Sequence, residues 1–339
     1  MRTSLFNTGP FLTERGSVLS WLRLAYRTWG TLNADGSNVV WICHALTGSA
    51  DADVWWSEIV GPGRVIDTTK YFVVCANMPG SCYGSSGPTD INLETGKIIG
   101  LDFPVLTARD IVRFFDALRS YLGIERIRLL IGGSMGGQHV LEWAVSMPHR
   151  IESIVPIATN ARHSPWGIAF NAAQRMALEA DPTFMQLDIE AGQRGLEAAR
   201  AIGMLSYRTS MQYDATQHDE DSVIDGFRAE SYQRYQGAKL THRFNAHSYW
   251  ILSKAMDAHN VGRDRGGVER ALQTVTARTL VIGVDTDLLF PTREQKLIAD
   301  MVPRAAYRQM QSIAGHDAFL LDQLQLSNIL RNERILEIT

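Results

Sequence analysis

The segment that most constrains this chain runs from residue 127 to residue 148. It reads IRLLIGG, then Ser134-Met135-Gly136-Gly137, then QHVLEWAVSMP. The first seven residues are nearly all apolar and end in two glycines, as in a strand buried on both faces. The segment from Ser134 onward reads as a helix closed by Pro148. A buried strand that turns straight into a helix belongs to a mostly parallel sheet with helices on both faces.

Other segments fit the same architecture. NVVWIC (38–43) and YFVVCA (71–76) are short, β-branched apolar runs, and each leads into a turn-prone stretch. Val105, Ile111, Val112, Phe115, Leu118 and Leu122 recur at helical spacing, and Gly123 supplies a stop. IESIVPIAT (151–159) is the next strand. From about residue 164 to 271 the rhythm changes to helical patterns with no convincing buried strand, as in 167–180 and 195–208. Strand character returns at ARTLVIGV (277–284), followed by a helix over 292–301. The division predicted is an α/β core of residues 1–163 and 272–339, with residues 164–271 inserted as a helical cap over one edge of the sheet. The alternative is a separate helical domain, but the late strand needs a sheet to join.

The chain has 339 residues, enough for one large domain or one domain with a sizeable insertion. A net charge of −3 with scattered Lys and Arg offers no stripe for nucleic acid. The opening MRTSLFNTGP lacks the apolar core of a signal peptide, and no apolar run reaches the length of a membrane span. Cys43, Cys75 and Cys82 are too few and too irregularly spaced for a disulfide framework or a metal site, which points to reduced thiols in a cytoplasm.

Gly132-Gly133-Ser134-Met135-Gly136 fits G-x-S-x-G, the strained turn that thrusts a serine hydroxyl into the open at a helix N-terminus. Small residues two positions either side avoid collision at so sharp a turn. Such an elbow takes its partners in the order Ser, acid, His. Asp285 and Asp287 both follow the strand TLVIGV. Asp287 is the candidate, because it stands four residues before Pro291, which opens the next helix. Asp285 would then cap the turn. His316 is the one histidine beyond the acid, while His44 and His139 read as structural. In such a triad His316 takes the Ser134 proton and returns it to the leaving group, and Asp287 fixes the imidazole tautomer. The oxyanion requires N–H donors. The backbone of Met135 is one, and Leu46, in the loop His44-Ala45-Leu46-Thr47-Gly48, is chosen as the other.

The blocks HALTGSADADVWW, NMPGSCYGSSGP, GGSMGGQHVLEWA, IGMLSYR, DTDLLFP and GHDAFLLD together resemble the homoserine O-acetyltransferase family over about residues 5 to 330. The resemblance implies an α/β-hydrolase fold with an inserted helical lid and a homodimer formed through it. It implies two-step transfer from acetyl-CoA to L-homoserine, in methionine biosynthesis, with no metal and no further cofactor. Ser134, Asp287 and His316 are then the triad. Arg208 of IGMLSYR matches the arginine that grips the homoserine carboxylate, and Asp317 matches the acid that receives its amino group. Read from the residues alone, Arg208 is a surface cation at the end of a helix. Many members carry L-G-G-C-x-G-T-T-G-P where this chain reads Met78-Pro79-Gly80-Ser81-Cys82-Tyr83-Gly84-Ser85-Ser86-Gly87-Pro88. Related proteins use succinyl-CoA or acylate serine, so a homoserine or serine O-succinyltransferase stays open, as does a serine esterase.

Overall fold

In the computed structural model, which describes residues 3–337, eight strands form one sheet. They are β1 (Ser4–Thr8), β2 (Leu22–Trp29), β3 (Val39–Cys43), β4 (Phe72–Ala76), β5 (Ile127–Gly133), β6 (Ile151–Ile157), β7 (Arg278–Val284) and β8 (Ala305–Met310). Their spatial order is β1-β2-β4-β3-β5-β6-β7-β8. The β1–β2 and β2–β4 pairs are antiparallel and every other pair is parallel. The chain moves outward from β3 to β4 and then crosses back to β5. The order therefore reverses around β3, and loops leaving β3 and β5 open a crevice at the carboxyl ends of the strands.

The parallel strands read as continuous apolar runs because both faces are covered. On one face Trp41, Phe115 and Trp143 meet, with the two tryptophan rings edge-on at 5.0 Å. Phe115 and Trp143 come from α1 (Ala108–Tyr121) and α2 (Met135–Ser146). On the other face Val40, Ile42 and Ile131 pack with Trp56, Leu326 and Leu330. Helix α1 begins later than its apolar spacing predicts. Thr107 and Asp110 form a capping box, which leaves Val105 ahead of the helix. Pro148 ends α2 two residues early, at Ser146, as its missing N–H requires.

Between β6 and β7 the described chain adds no strand to the sheet. It forms α3 (Pro165–Glu179), α4 (Gln193–Tyr207), α5 (Ser210–Thr216), α6 (Arg228–Thr241) and α7 (Ala246–Asp257). The two ends of this insertion are tied where they leave the core: the His163 amide donates to the His259 carbonyl at 3.0 Å. Helices α8 (Thr292–Met301) and α9 (Gln323–Asn332) complete the cover of the sheet. No described helix is long and apolar enough to cross a membrane, and the three cysteines are free thiols.

Candidate active site

Ser134 sits between β5 and α2 with φ 56° and ψ −126°, a conformation costly for any side chain. Its backbone is pinned on both sides. The amide donates to the Ile157 carbonyl at 2.9 Å, and the Thr159 hydroxyl donates to its carbonyl at 2.8 Å. The flanking glycines are explained by crowding. A Cβ on Gly132 would lie 2.7 Å from the Cys43 carbonyl oxygen and 2.8 Å from Gly136, and one on Gly136 would overlap that same Cys43 carbonyl. The end of β3 thus passes too close to the elbow for any other residue.

The Ser134 hydroxyl lies 2.9 Å from His316 Nε2, and His316 Nδ1 lies 2.7 Å from Asp287 Oδ2. The other Asp287 oxygen accepts the Phe290 amide at 2.8 Å, so the carboxylate has one orientation. Asp285 takes a different task. Its Oδ1 accepts the Ser312 amide at 3.0 Å and ties β7 to the loop after β8. Burial opposes a charged His316, but the Asp287 carboxylate outweighs it by charge and hydrogen bond, with help from Asp317. The net result is a pKa raised above the ordinary 6.5. Phe290 stacks on the imidazole at 5.1 Å, with Phe319 edge-on at 5.6 Å and Tyr207 at 5.8 Å. Gly315 has φ 66° and no room for a Cβ beside the Tyr207 carbonyl, so the histidine loop packs directly on the end of α4.

These groups open on a cavity of about 370 Å³, walled by the core on one side and the insertion on the other. Leu46, Ser134, His316 and Asp317 line it from the core. The Leu46 amide donates to no protein acceptor among the described residues, and Met135 is the first residue of α2, where amides have no intrahelical partner. Arg208 is placed elsewhere. It follows the last residue of α4 in extended conformation. There it makes an ion pair with Asp317 at 3.0 Å, its N–H not aligned for a hydrogen bond, and approaches Tyr232 at 3.4 Å. The cavity wall carries Arg200 and Arg243 instead. Arg200 lies over the Tyr207 ring at 5.2 Å, and Arg243 reaches the Tyr83 hydroxyl at 2.8 Å.

A family described as the alpha/beta hydrolase fold matches residues 38–323. A homoserine O-acetyltransferase of Cyclobacterium marinum is 50% identical over 319 residues, covering 94% of this chain and 91% of the relative. Among solved structures, the homoserine O-acetyltransferase of Bacillus anthracis superposes with a TM-score of 0.91 at 26% identity, covering 100% of this chain and 98% of that one. An acetylester hydrolase of Corynebacterium glutamicum superposes with a TM-score of 0.87 at 25% identity, covering 98% and 95%. The strand order and the crowded elbow explain the likeness in fold, and the match to the Cyclobacterium protein is long enough to span core and insertion alike: this chain belongs to the homoserine O-acetyltransferase family of the α/β-hydrolase fold.

Proposed function

We propose that the protein transfers an acetyl group from acetyl-CoA to the hydroxyl of L-homoserine through an ester on Ser134. The observation that carries this reading is that the cavity holding the Ser134–His316–Asp287 line is also lined by two opposite charges, Asp317 from the core and Arg200 from the insertion. An amino acid is a zwitterion, and the cavity offers a partner for each of its charges.

In the first half-reaction His316 Nε2 takes the Ser134 proton as the oxygen attacks the thioester carbonyl. The oxyanion is received by the Leu46 and Met135 amides. Collapse expels the CoA sulfur, which takes the proton from His316. In the second, His316 deprotonates the homoserine hydroxyl, which attacks the acyl ester, and the proton returns to Ser134. The aromatic rings on His316 and the inserted helices, acting as a lid, keep water from competing for the ester. No metal or prosthetic group enters these steps. A homodimer through the lid and a cytoplasmic setting complete the proposal.

Incubation with acetyl-CoA alone should acetylate a peptide containing Ser134, and sustained CoA release should require homoserine, with parallel double-reciprocal lines. Intersecting lines with no labelled peptide would replace this reading with direct transfer. Running the same assay with succinyl-CoA, and with serine as acceptor, decides between the transferases. The likeness to an acetylester hydrolase favours a serine esterase as the second reading. Sustained CoA release without any acceptor would establish it.

We assign the carboxylate grip to Arg200, which lines the cavity, in place of Arg208, which stands behind Asp317 as its ion-pair partner. Arg200→Lys loses the planar two-point geometry, and a charged hydrogen bond is worth about 1.5–3 kcal/mol. The expected result is a ten- to hundredfold loss, roughly, in kcat/KM for homoserine with Ser134 acetylation nearly normal. An alcohol acceptor without a carboxylate should be little affected. Equal loss with both acceptors would assign Arg200 to supporting the lid.

A further inference from the structure

His44 follows β3 and is 1% exposed, yet it is not part of the cavity wall. Both ring nitrogens are engaged. Nδ1 lies 2.8 Å from the Ala45 carbonyl oxygen, and Nε2 lies 3.1 Å from the Met78 amide nitrogen. A carbonyl can only accept and an amide N–H can only donate, so the ring is neutral with its proton on Nδ1. Burial holds this imidazole in that state, with its pKa lowered to about 4. The same Ala45 carbonyl accepts a second donor, the Gly48 amide, at 2.8 Å.

The consequence lies in the geometry of one peptide unit. The Ala45 carbonyl and the Leu46 N–H belong to the same trans, planar peptide, so they point in opposite directions. Two donors fix the carbonyl end. The N–H end is thereby held in one orientation, on a residue that lines the same cavity as Ser134. Hydrogen bonds to the carbonyl also polarise the peptide and strengthen its N–H as a donor. Space at this turn is already exhausted: a Cβ on Gly48 would sit 3.0 Å from the His44 Cβ and 3.1 Å from the Ala45 oxygen.

We propose that His44 is the positioning residue of the oxyanion site, its Nδ1–H holding the Ala45–Leu46 peptide so that the Leu46 amide faces the oxyanion formed at Ser134. This rests on the acyl-transfer reading above. His44 touches no reacting atom and exchanges no proton. The Met78 amide fixes its tautomer, which couples the oxyanion peptide to the loop 78–88, where this chain departs from the family pattern.

Two near-isosteric variants separate the contacts. Asparagine places an amide N–H close to the position of Nδ1 but does not reach the Met78 amide. Glutamine extends to the position of Nε2 and gives up the Nδ1 contact. Removing one oxyanion donor costs about 10²–10³ in turnover, and a misaimed donor forfeits part of that. His44→Gln should therefore lose about ten- to a hundredfold in the rate of Ser134 acetylation, with homoserine KM changed less than about threefold. His44→Asn should retain most of the parent rate. A trifluoromethyl ketone, which forms a tetrahedral adduct on the serine, should lose affinity for each variant in parallel with its rate. A purely structural histidine would instead give losses that follow melting temperature. Equal rates for the two variants, a reversed ranking, or a loss confined to KM overturns the inference. If Ser134→Ala is inactive while the two His44 variants rank equally, the acyl-enzyme reading stands and only the role of His44 falls. If Ser134→Ala stays active, the acyl-enzyme reading itself has failed.

Discussion

Replacing Ser134 with alanine is expected to abolish homoserine-dependent CoA release, with a loss on the order of 10⁴-fold or more in kcat. The oxygen removed is the atom that carries the acyl group, and members of such a triad act as one unit, so no neighbour can substitute for it. Fold and stability should survive. The Ser134 backbone is held by Ile157 and Thr159 through main-chain atoms, which alanine retains, and the strained φ is the same for both residues. Mass spectrometry after incubation with acetyl-CoA should then find no acetylated peptide in this region. Residual activity above about one per cent, in a protein shown free of parent enzyme, would place the acyl group on another side chain.

Asp287→Asn should be nearly as severe, about 10⁴-fold in turnover, and Asp285→Asn should not. An asparagine facing His316 Nδ1 can present its amide N–H there, which turns the imidazole to the wrong tautomer and leaves Nε2 unable to accept the serine proton. Among the described residues the Asp285 side chain accepts only the Ser312 amide, and an asparagine carbonyl does the same. The pH profile gives an independent check. Catalysis needs neutral His316, so kcat/KM falls as pH drops through the pKa of the free enzyme. Because Asp287 raises that pKa, the acidic limb of the parent should lie above the ordinary 6.5. Loss of the carboxylate leaves burial opposed only by the weaker pull of Asp317, and the limb should move to lower pH. An unmoved limb, or the reverse ranking of the two aspartates, would transfer the role to Asp285.

The parts of the fold visible in the sequence are those whose physics is local. Strands β3 to β7 are apolar along nearly their whole length because helices cover both faces, and their limits fall within a few residues of where the apolar runs place them. The other strands carry no such signal. In β2 the sequence LRLAYRTW interleaves arginines with apolar residues, and Arg27 is buried against Asp51 and Asp53, far ahead in the chain. In β8 the sequence AAYRQM lies at the edge of the sheet, half exposed, so its pattern is not that of a buried strand. The site divides in the same way. Ser134 was marked by its glycines, and Asp287 and His316 by their order and surroundings. Arg200 was not marked, because a cation on an amphipathic helix looks the same whether it faces water or a cavity. Arg208 stands out only through the motif IGMLSYR, since the helix stops at Tyr207 and gives the residue no helical face to be read from.

The helical insertion also sets a timetable for synthesis. Strand β6 ends at Ile157 and its neighbour β7 begins at Arg278, so about 120 residues must leave the ribosome before the sheet can be extended. At 5–20 residues per second that is a wait of roughly 6–24 seconds. Throughout it, β6 is an edge strand, with unpaired N–H and C=O groups along an apolar run. Ribosome-bound chains stalled between residues 160 and 270 should accordingly recruit chaperones, and the protection should end once β7 has emerged. The insertion that encloses the reacting groups of the finished protein leaves the nascent one, for some seconds, with its stickiest edge uncovered.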